Sequence, residues 1–359
     1  MSRDPLSTPV TRMLGCRWPI VQTAMGWIAT PPLVVAASEA GAFGFLAAAV
    51  MAPDEAETAI ASVRSRTRAA FGVNFHAFQP GAERIVDIII ANREQVRAVS
   101  FGRGPDSRMV ERFKAAGILC IPTIGAVKHA KKMAELGVDM ITVQGGEGGG
   151  HTGSVATTIL LPQVLDSVDV PVIAAGGFAD GRGLAAALAW GAAGIAMGTR
   201  FLMTAESPVP EATMARYLNA GADDITVTDK VDGIPQRMIR NAALARIERG
   251  GRLSRFRRAI ATGLALKKQT GASLGELFRS TWGVAGHGGL GWSQAMSAAA
   301  APMLIQQAMV DGDPDGGLMA TGLVAARLGT RPTCAALIES IVTEARARLA
   351  ALAPQPEHA

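Results

Sequence analysis

The chain has 359 residues, 49% hydrophobic and 18% charged, with 41 glycines, 3 cysteines and a formal net charge of +5. That balance excludes intrinsic disorder, the glycines keep no collagen period, and no uncharged stretch reaches the ~20 residues of a membrane span. The positive charge comes with 5 Trp, 1 Tyr and scattered Arg, which make no RNA-binding signature, so a polyanionic small molecule suits it better than nucleic acid.

Arg3 and Asp4 stand before Pro5 with no apolar stretch, so a cytoplasmic protein without a membrane partner is expected. From Pro19 to Gly198 one pattern recurs: a short β-rich apolar run, a Gly or polar loop, then an Ala-rich amphipathic stretch. The runs are Pro19–Thr23, Phe43–Ala47, Ala70–Phe75, Val96–Phe101, Ile118–Ile124, Met140–Gln144, Val170–Ala175 and Ala193–Met197. Helical spacing marks Pro32–Ala40, Asp54–Arg66, Ser107–Ala116, Val127–Leu136 and Gly181–Trp190. Gly41, Gly117, Gly137 and Gly191 stand where a left-handed cap is needed, and Asp180 is placed to N-cap its helix. Strands separated by helices pair in parallel, and eight of them close most economically as an α/β TIM (β/α)8 barrel. The rival doubly wound sheet would want G-x-G-x-x-G after the first strand, where Gln22–Trp27 has none.

Past the eighth run the pattern fails. Residues 205–301 carry Pro208, Pro210, Pro235, a basic tract and the Gly-rich 283–291, which predicts a mostly helical insertion acting as substrate or lid domain. The barrel is expected to take 1–204 and 302–352, with a break at Thr330-Arg331-Pro332 and a flexible tail over 353–359. Cys16, Cys120 and Cys334 fit neither a zinc site nor a redox pair, so reduced, buried thiols and no metal are expected.

The sharpest local feature is the loop Val143–Gly153, with Gln144, Gly149, Gly150 and His151, directly after the sixth run. In a barrel it lies on the face where active sites assemble. Glycines let the backbone approach a ligand, and a single His among them suits proton transfer; the alternative is a flexible loop with a solvent-facing His. Gly176 and Gly177 after the seventh run, and Gly198 and Thr199 after the eighth, occupy the loops that commonly hold a phosphate, or else are ordinary turns. Ala24-Met25-Gly26 after the first run and Asn74 at the third complete the set, Asn74 offering donor and acceptor or serving as a turn residue. Lys128 and His129 are secondary candidates.

Asn74 in GVNF, the GGEGGGHTG loop, AAGGFADGRGLAAAL and MGTRFL together resemble the nitronate monooxygenase family, over nearly the whole chain. The resemblance implies an FMN-binding TIM barrel with the loop histidine near the flavin. Residues 21–27, 121–132, 143–153, 155–162, 231–240 and 300–313 are similar to a branch of flavin oxidoreductases in bacterial steroid degraders, acting on CoA thioesters of the ring C/D remnant. It implies hydride exchange between flavin N5 and the carbon β to the thioester, with His151 moving the α-proton. NAD(P)H as electron donor and a homodimer stay open. The tract Arg237, Arg240, Arg246, Arg249, Arg252, Arg255, Arg257, Arg258, Lys267 and Lys268 holds one acid, Glu248; Arg255, Arg257 and Arg258 are candidates for the CoA phosphates, against a solvated helix face or an oligomer contact. His287 either lines the pocket or lies in a flexible loop. The rival activities are oxidation of alkyl nitronates with O2, NAD(P)H:quinone or enoyl reduction, and flavin binding without turnover.

Overall fold

The computed structural model describes residues 4–101, 107–249 and 292–352. One compact unit gathers the described residues of 1–148, 152–208 and 328–359, and a second those of 149–151 and 209–327.

In the first unit every apolar run of the sequence is a strand: β1 (Ile20–Gln22), β2 (Phe43–Ala47), β3 (Phe71–Asn74), β4 (Val96–Ser100), β5 (Leu119–Cys120), β6 (Thr123–Ile124), β7 (Ile141–Gln144), β9 (Val172–Ala175) and β10 (Gly194–Met197). All pair in parallel, in the order β5-β4-β3-β2-β1-β10-β9-β7-β6. The two ends of that order, β5 and β6, are halves of one run interrupted at Ile121 and Pro122. Val99 O accepts from Ile121 N–H on one side and Pro122 O accepts from Thr142 N–H on the other. The sheet therefore closes on itself, and the unit is an eight-stranded (β/α)8 barrel.

Alternation decides what fills it. On β2, Phe43, Phe45 and Ala47 share one face, in register with Val21 on β1 and with Gly72 and Asn74 on β3. Val21, Phe43, Phe45, Ala98, Ile121, Met140, Ile173, Ala175 and Ala196 form a buried cluster joined by Val10 and Leu14 of the helix Pro9–Leu14. The opposite face meets helices: a Cβ on Gly44 would lie 2.9 Å from the Val34 carbonyl. Helices span Pro31–Glu39, Pro53–Arg66, Ser107–Ala115, Val127–Glu135 and Gly181–Ala189, where the spacing puts them, and also Ala82–Ala91 and Thr157–Leu165. Gly41, Gly117, Gly137 and Gly191 take φ of 91, 74, 74 and 100°, and the Asp180 carboxylate accepts the Gly183 N–H at 3.3 Å. The helix Cys334–Leu352 packs on Gly181–Ala189 so closely that a Cβ on Gly181 would lie 2.4 Å from the Ile341 carbonyl.

The second unit holds helices Glu211–Leu218, Ala242–Arg249 and Trp292–Met309, and beside them an antiparallel sheet that the helical reading of 205–301 lacks. There β11 (Ile225–Thr228) pairs with β12 (Gln236–Ile239), whose other edge takes β8 (Gly150–His151). Val231, Met238, Leu244, Ile247, Ala301 and Leu318 make its core, with Leu304 and Ile305 against them. Pro302 lies inside a continuous helix, so the described residues 302–327 group with this unit and the chain rejoins the barrel at 328. Arg252, Arg255, Arg257, Arg258, Lys267, Lys268, His287 and the tail over 353–359 lie outside the described residues. No helix among the described residues is long and apolar enough to cross a membrane.

A Cβ on Gly72 would lie 2.3 Å from a ring carbon of Phe45 and 2.9 Å from one of Phe43, whereas at Gly117 it would meet nothing within 4 Å. Urea unfolding of Gly72→Ala should show a loss of about 1–3 kcal/mol from overpacking, and of Gly117→Ala about 1 kcal/mol from its backbone angle. A Gly72→Ala protein as stable as wild type would contradict the lumen packing.

Candidate active site

Register carries the lumen-facing series to the carboxyl ends of the strands. Ala47 opposes Asn74, Asn74 opposes Ser100, and Gln144 opposes Ala175. The next lumen position after Ala196 is Gly198, where a Cβ would lie 3.1 Å from Thr23 Oγ1 and 3.5 Å from Met25 Sδ. The barrel's last layer is thus two carboxamides among alanine, glycine and small hydroxyls. Asn74 is half-buried and donates its amide to Ser100 O at 3.0 Å, which orients it. Immediately beyond, Gly176 and Gly177 have φ of 94 and 84°, a backbone that an L side chain rarely adopts. Gly198 precedes the short helix Thr199–Leu202, whose first amides lack intrahelical acceptors by geometry. After β1, Met25 O accepts from Ile28 and Ala29 N–H, tightening a turn in which Trp27 has φ 62°, the one positive value among described non-glycine residues. A shallow layer with polar carboxamides, plus glycine backbone at two neighbouring strand ends, fits a flat ring with a phosphate tail.

The chain leaving β7 is knitted to itself. Glu147 accepts the Thr157 N–H at 2.9 Å and its hydroxyl at 2.7 Å, satisfying the start of the helix Thr157–Leu165. Gly146 N–H donates to Val155 O at 2.7 Å, and Thr152 Oγ1 to Gly146 O at 3.0 Å. Most of the loop's glycines answer to this packing. A Cβ on Gly145 would lie 2.0 Å from Thr157 Oγ1, one on Gly148 2.6 Å from the Gln144 carboxamide, and one on Gly149 2.6 Å from the Thr321–Gly322 backbone. Gly150 alone combines a φ of 66° with open space.

In the second unit His151 pairs with Gln236 across β8 and β12. Its Nε2 lies 2.7 Å from Oδ2 of Asp232, which also accepts from Gln236 Nε2 at 2.7 Å, while Asp232 Oδ1 accepts from Ile234 N–H at 3.1 Å. Burial alone would raise the Asp232 pKa; the hydrogen bond and charge of His151, with the Gln236 and Ile234 bonds, outweigh it and hold the carboxyl below the ordinary aspartate value. The Asp232 side chain is 9% exposed, whereas that of His151 is 54% exposed. Asp232 and Glu147 are the residues the sequence motifs contain without marking. VDGIPQRMIR holds Asp232 and Gln236, but His151, the partner of Asp232, is 81 residues away.

Lys128 and His129 are exposed on Val127–Glu135. Of the basic tract, Arg240 donates to Thr226 Oγ1 at 3.0 Å and Arg246 to Asp315 O at 3.1 Å. Cys120 and Cys334 are buried and Cys16 half-buried, and burial pushes all three thiols up to about 12, which removes them as nucleophiles at neutral pH. Among the described residues no group of three His, Cys, Asp or Glu could hold a metal.

The profile of the nitronate monooxygenase family matches residues 7–344. Two relatives are similar nearly end to end. The (3aS,4S,5R,7aS)-5-hydroxy-7a-methyl-1-oxo-octahydro-1H-indene-4-carboxyl-CoA dehydrogenase of Rhodococcus jostii (strain RHA1) is 46% identical over 97% of this chain and 98% of its own. That of Mycobacterium tuberculosis (strain ATCC 25618 / H37Rv) is 47% identical over 95% of this chain and 96% of its own. Among solved structures, FabK from Thermotoga maritima superposes with a TM-score of 0.78 at 30% identity, covering 98% of this chain and 99% of that one.

Replacing Glu147 with Ala leaves the Thr157 N–H without its acceptor, while the hydroxyl keeps Gly176 O at 3.0 Å. Thermal melts should show a loss of about 1–2 kcal/mol, and limited proteolysis should cut within 145–153 faster than in wild type. Unchanged cleavage would show that the loop is held by something else.

Proposed function

Since the chain belongs to the nitronate monooxygenase family and is a flavin-dependent oxidoreductase, we propose that it is an FMN-dependent dehydrogenase of a CoA thioester. Its acyl group is of the bicyclic octahydroindene type named for the Rhodococcus and Mycobacterium relatives, and the bond oxidised is the C–C bond next to the thioester carbonyl. What supports the substrate class is the end-to-end similarity to those two dehydrogenases. What supports the chemistry is one observation: a more than half-exposed imidazole, His151, carried by the loop that follows a barrel strand and backed by a buried carboxylate.

In this reading the backbone at Gly176, Gly177, Gly198 and Thr199 holds the FMN phosphate. Ala24, Met25, Gly26, Asn74 and Gln144 would hold the ring, with Gly149 and Gly150 as further candidates. Bound flavin supplies the two-electron acceptor for the hydride that leaves the β-carbon. The thioester carbonyl acidifies the neighbouring C–H, and His151 takes that proton; an imidazole is suited to the exchange near neutral pH. The reverse transfers reduce an enoyl thioester, and there NAD(P)H is the candidate donor. The candidates for the CoA phosphates are Arg255, Arg257 and Arg258, the candidate for the acyl site is His287, and the candidate assembly is a homodimer. The family itself favours a second reading, oxidation of alkyl nitronates with O2.

Anaerobic mixing of the yellow protein with CoA thioesters, nitronates and NADH separates these. A bicyclic acyl-CoA should bleach the flavin. Bleaching by nitronates with no response to thioesters would establish the second reading, and His151→Ala should bind flavin yet bleach at least about 10²-fold more slowly. In steady-state kinetics, Ala at Arg255, Arg257 and Arg258 together should raise KM for an acyl-CoA far more than for its CoA-free analogue; equal effects would reject the CoA site.

A further inference from the structure

We infer that Phe78 and Val50 form the wall that recognises the fused rings of the acyl group, with Phe78 carrying most of the discrimination between a ring thioester and a short one. The inference rests on the reading of the substrate as a bicyclic acyl-CoA, and it adds which part of the barrel's mouth meets the rings.

The loop after β3 is anchored at three places. At its start Phe75 is buried edge-on against Phe101 and Phe113, with ring centroids 6.4 and 5.8 Å away. In its middle the Gln79 carboxamide makes three bonds. Its Oε1 accepts the His76 N–H at 2.8 Å, and its Nε2 donates to Ala48 O at 3.1 Å and to Met51 O at 3.2 Å, both in the segment after β2. At its end Gly81, with a φ of 75°, lies so near that segment that a Cβ would be 2.5 Å from Pro53 Cγ. Between these anchors Phe78 stacks on His76, the ring centroids 5.1 Å apart and the planes 8° from parallel, yet it is 58% exposed. Val50, flanked in sequence by the two carbonyls that hold Gln79, is 39% exposed. A Cβ on Gly26 would lie 3.1 Å from Val50 Cγ1, so the valine also reaches the turn after β1.

Single apolar residues on a surface are ordinary. These two differ in place and in rigidity. Both follow barrel strands at their carboxyl ends, where active sites assemble, and they adjoin Gly26 and the strand of Asn74, which the functional reading gives to the flavin ring. The same loop buries Phe75 and fixes its own course through Gln79, so Phe78 is held outside in a set orientation. The mouth is therefore two-sided: β9 and β10 end in the glycine backbone of Gly176, Gly177 and Gly198, suited to a phosphate, whereas the segments after β2 and β3 present hydrocarbon. A rigid fused ring laid on an aromatic face and a branched aliphatic side chain removes apolar surface from water and loses little conformational freedom in doing so.

The test uses the FMN-loaded enzyme with its flavin reduced beforehand by dithionite, so that a saturated thioester binds without hydride transfer. Anaerobic calorimetry then gives Kd for an octahydroindene-carboxyl-CoA and for acetyl-CoA, which shares the CoA portion and lacks the rings. Phe78→Ala should weaken the ring thioester about 10-fold or more and leave acetyl-CoA within about twofold. Phe78→Leu should recover part of the loss, and Val50→Ala should weaken the ring thioester by about three- to fivefold. The flavin absorption spectrum of Phe78→Ala should match wild type, confirming a folded site. Equal weakening of both ligands in Phe78→Ala, or no weakening of the ring thioester, overturns the proposal; the functional reading stands in that case if the ring thioester bleaches the oxidised wild-type flavin. A wild-type flavin that the ring thioester leaves unbleached overturns the functional reading itself, and the proposal with it.

Discussion

The carboxylate of Glu147 receives both the N–H and the hydroxyl of Thr157, and that pair of bonds governs how the chain leaves β7. A strand of a closed barrel ends with its backbone exposed, and the segment after it must satisfy its polar groups without covering the mouth. Glu147 does this by turning the loop back onto the start of the next helix, where its negative charge also meets the positive end of the helix dipole. The contact is so close that a side chain at Gly145 has nowhere to go, and the glycine pair at Gly176 and Gly177 stacks on the same point: a Cβ on Gly176 would lie 3.0 Å from the Gly145 carbonyl. The loops after β7 and β9 therefore cannot be altered independently.

Glycine density in such a loop invites the idea that a ligand requires it. Here the nearer cause is the protein's own packing at Gly145, Gly148 and Gly149, each facing backbone or side chain within 2.6 Å of a hypothetical Cβ. Each glycine raises the entropy lost on folding, by roughly 0.5–1 kcal/mol relative to alanine. The offsetting gain is a loop whose course is fixed by hydrogen bonds at Gly146, Glu147 and Thr152.

The barrel is legible in the chain because its signals are local. Each strand lies in a short apolar run, the helices before β2, β5, β7 and β10 are followed by a glycine at positive φ, and Asp180 caps the helix it adjoins. Closure is legible too, and the break at Ile121 and Pro122 is only the proline's missing N–H interrupting a ladder. The second unit is harder to read for the opposite reason. ITVT at 225–228 and QRMI at 236–239 are too short to show a period, and the third strand of their sheet comes from residues 150–151, far back in the chain. Pro302 reads as a boundary because proline usually ends a helix, yet the helix Trp292–Met309 runs through it with Ala301, Leu304 and Ile305 on the core of the unit. Asp232 carries no local mark at all; only the pairing of β8 with β12 brings it to His151.

That pairing has a consequence for how such a site can vary. Gly149–His151 group with the second unit, and Gly150 and His151 form an edge strand beside Arg237 and Gln236. The proposed base is thus covalently held by the barrel loop, but its orientation is set by residues 232–236 of the insertion. An insertion that contributed only a lid could be exchanged freely for another. One that also supplies the carboxylate holding His151 can be exchanged only for a segment that keeps an acceptor beside that imidazole, as Asp232 does here between β11 and β12.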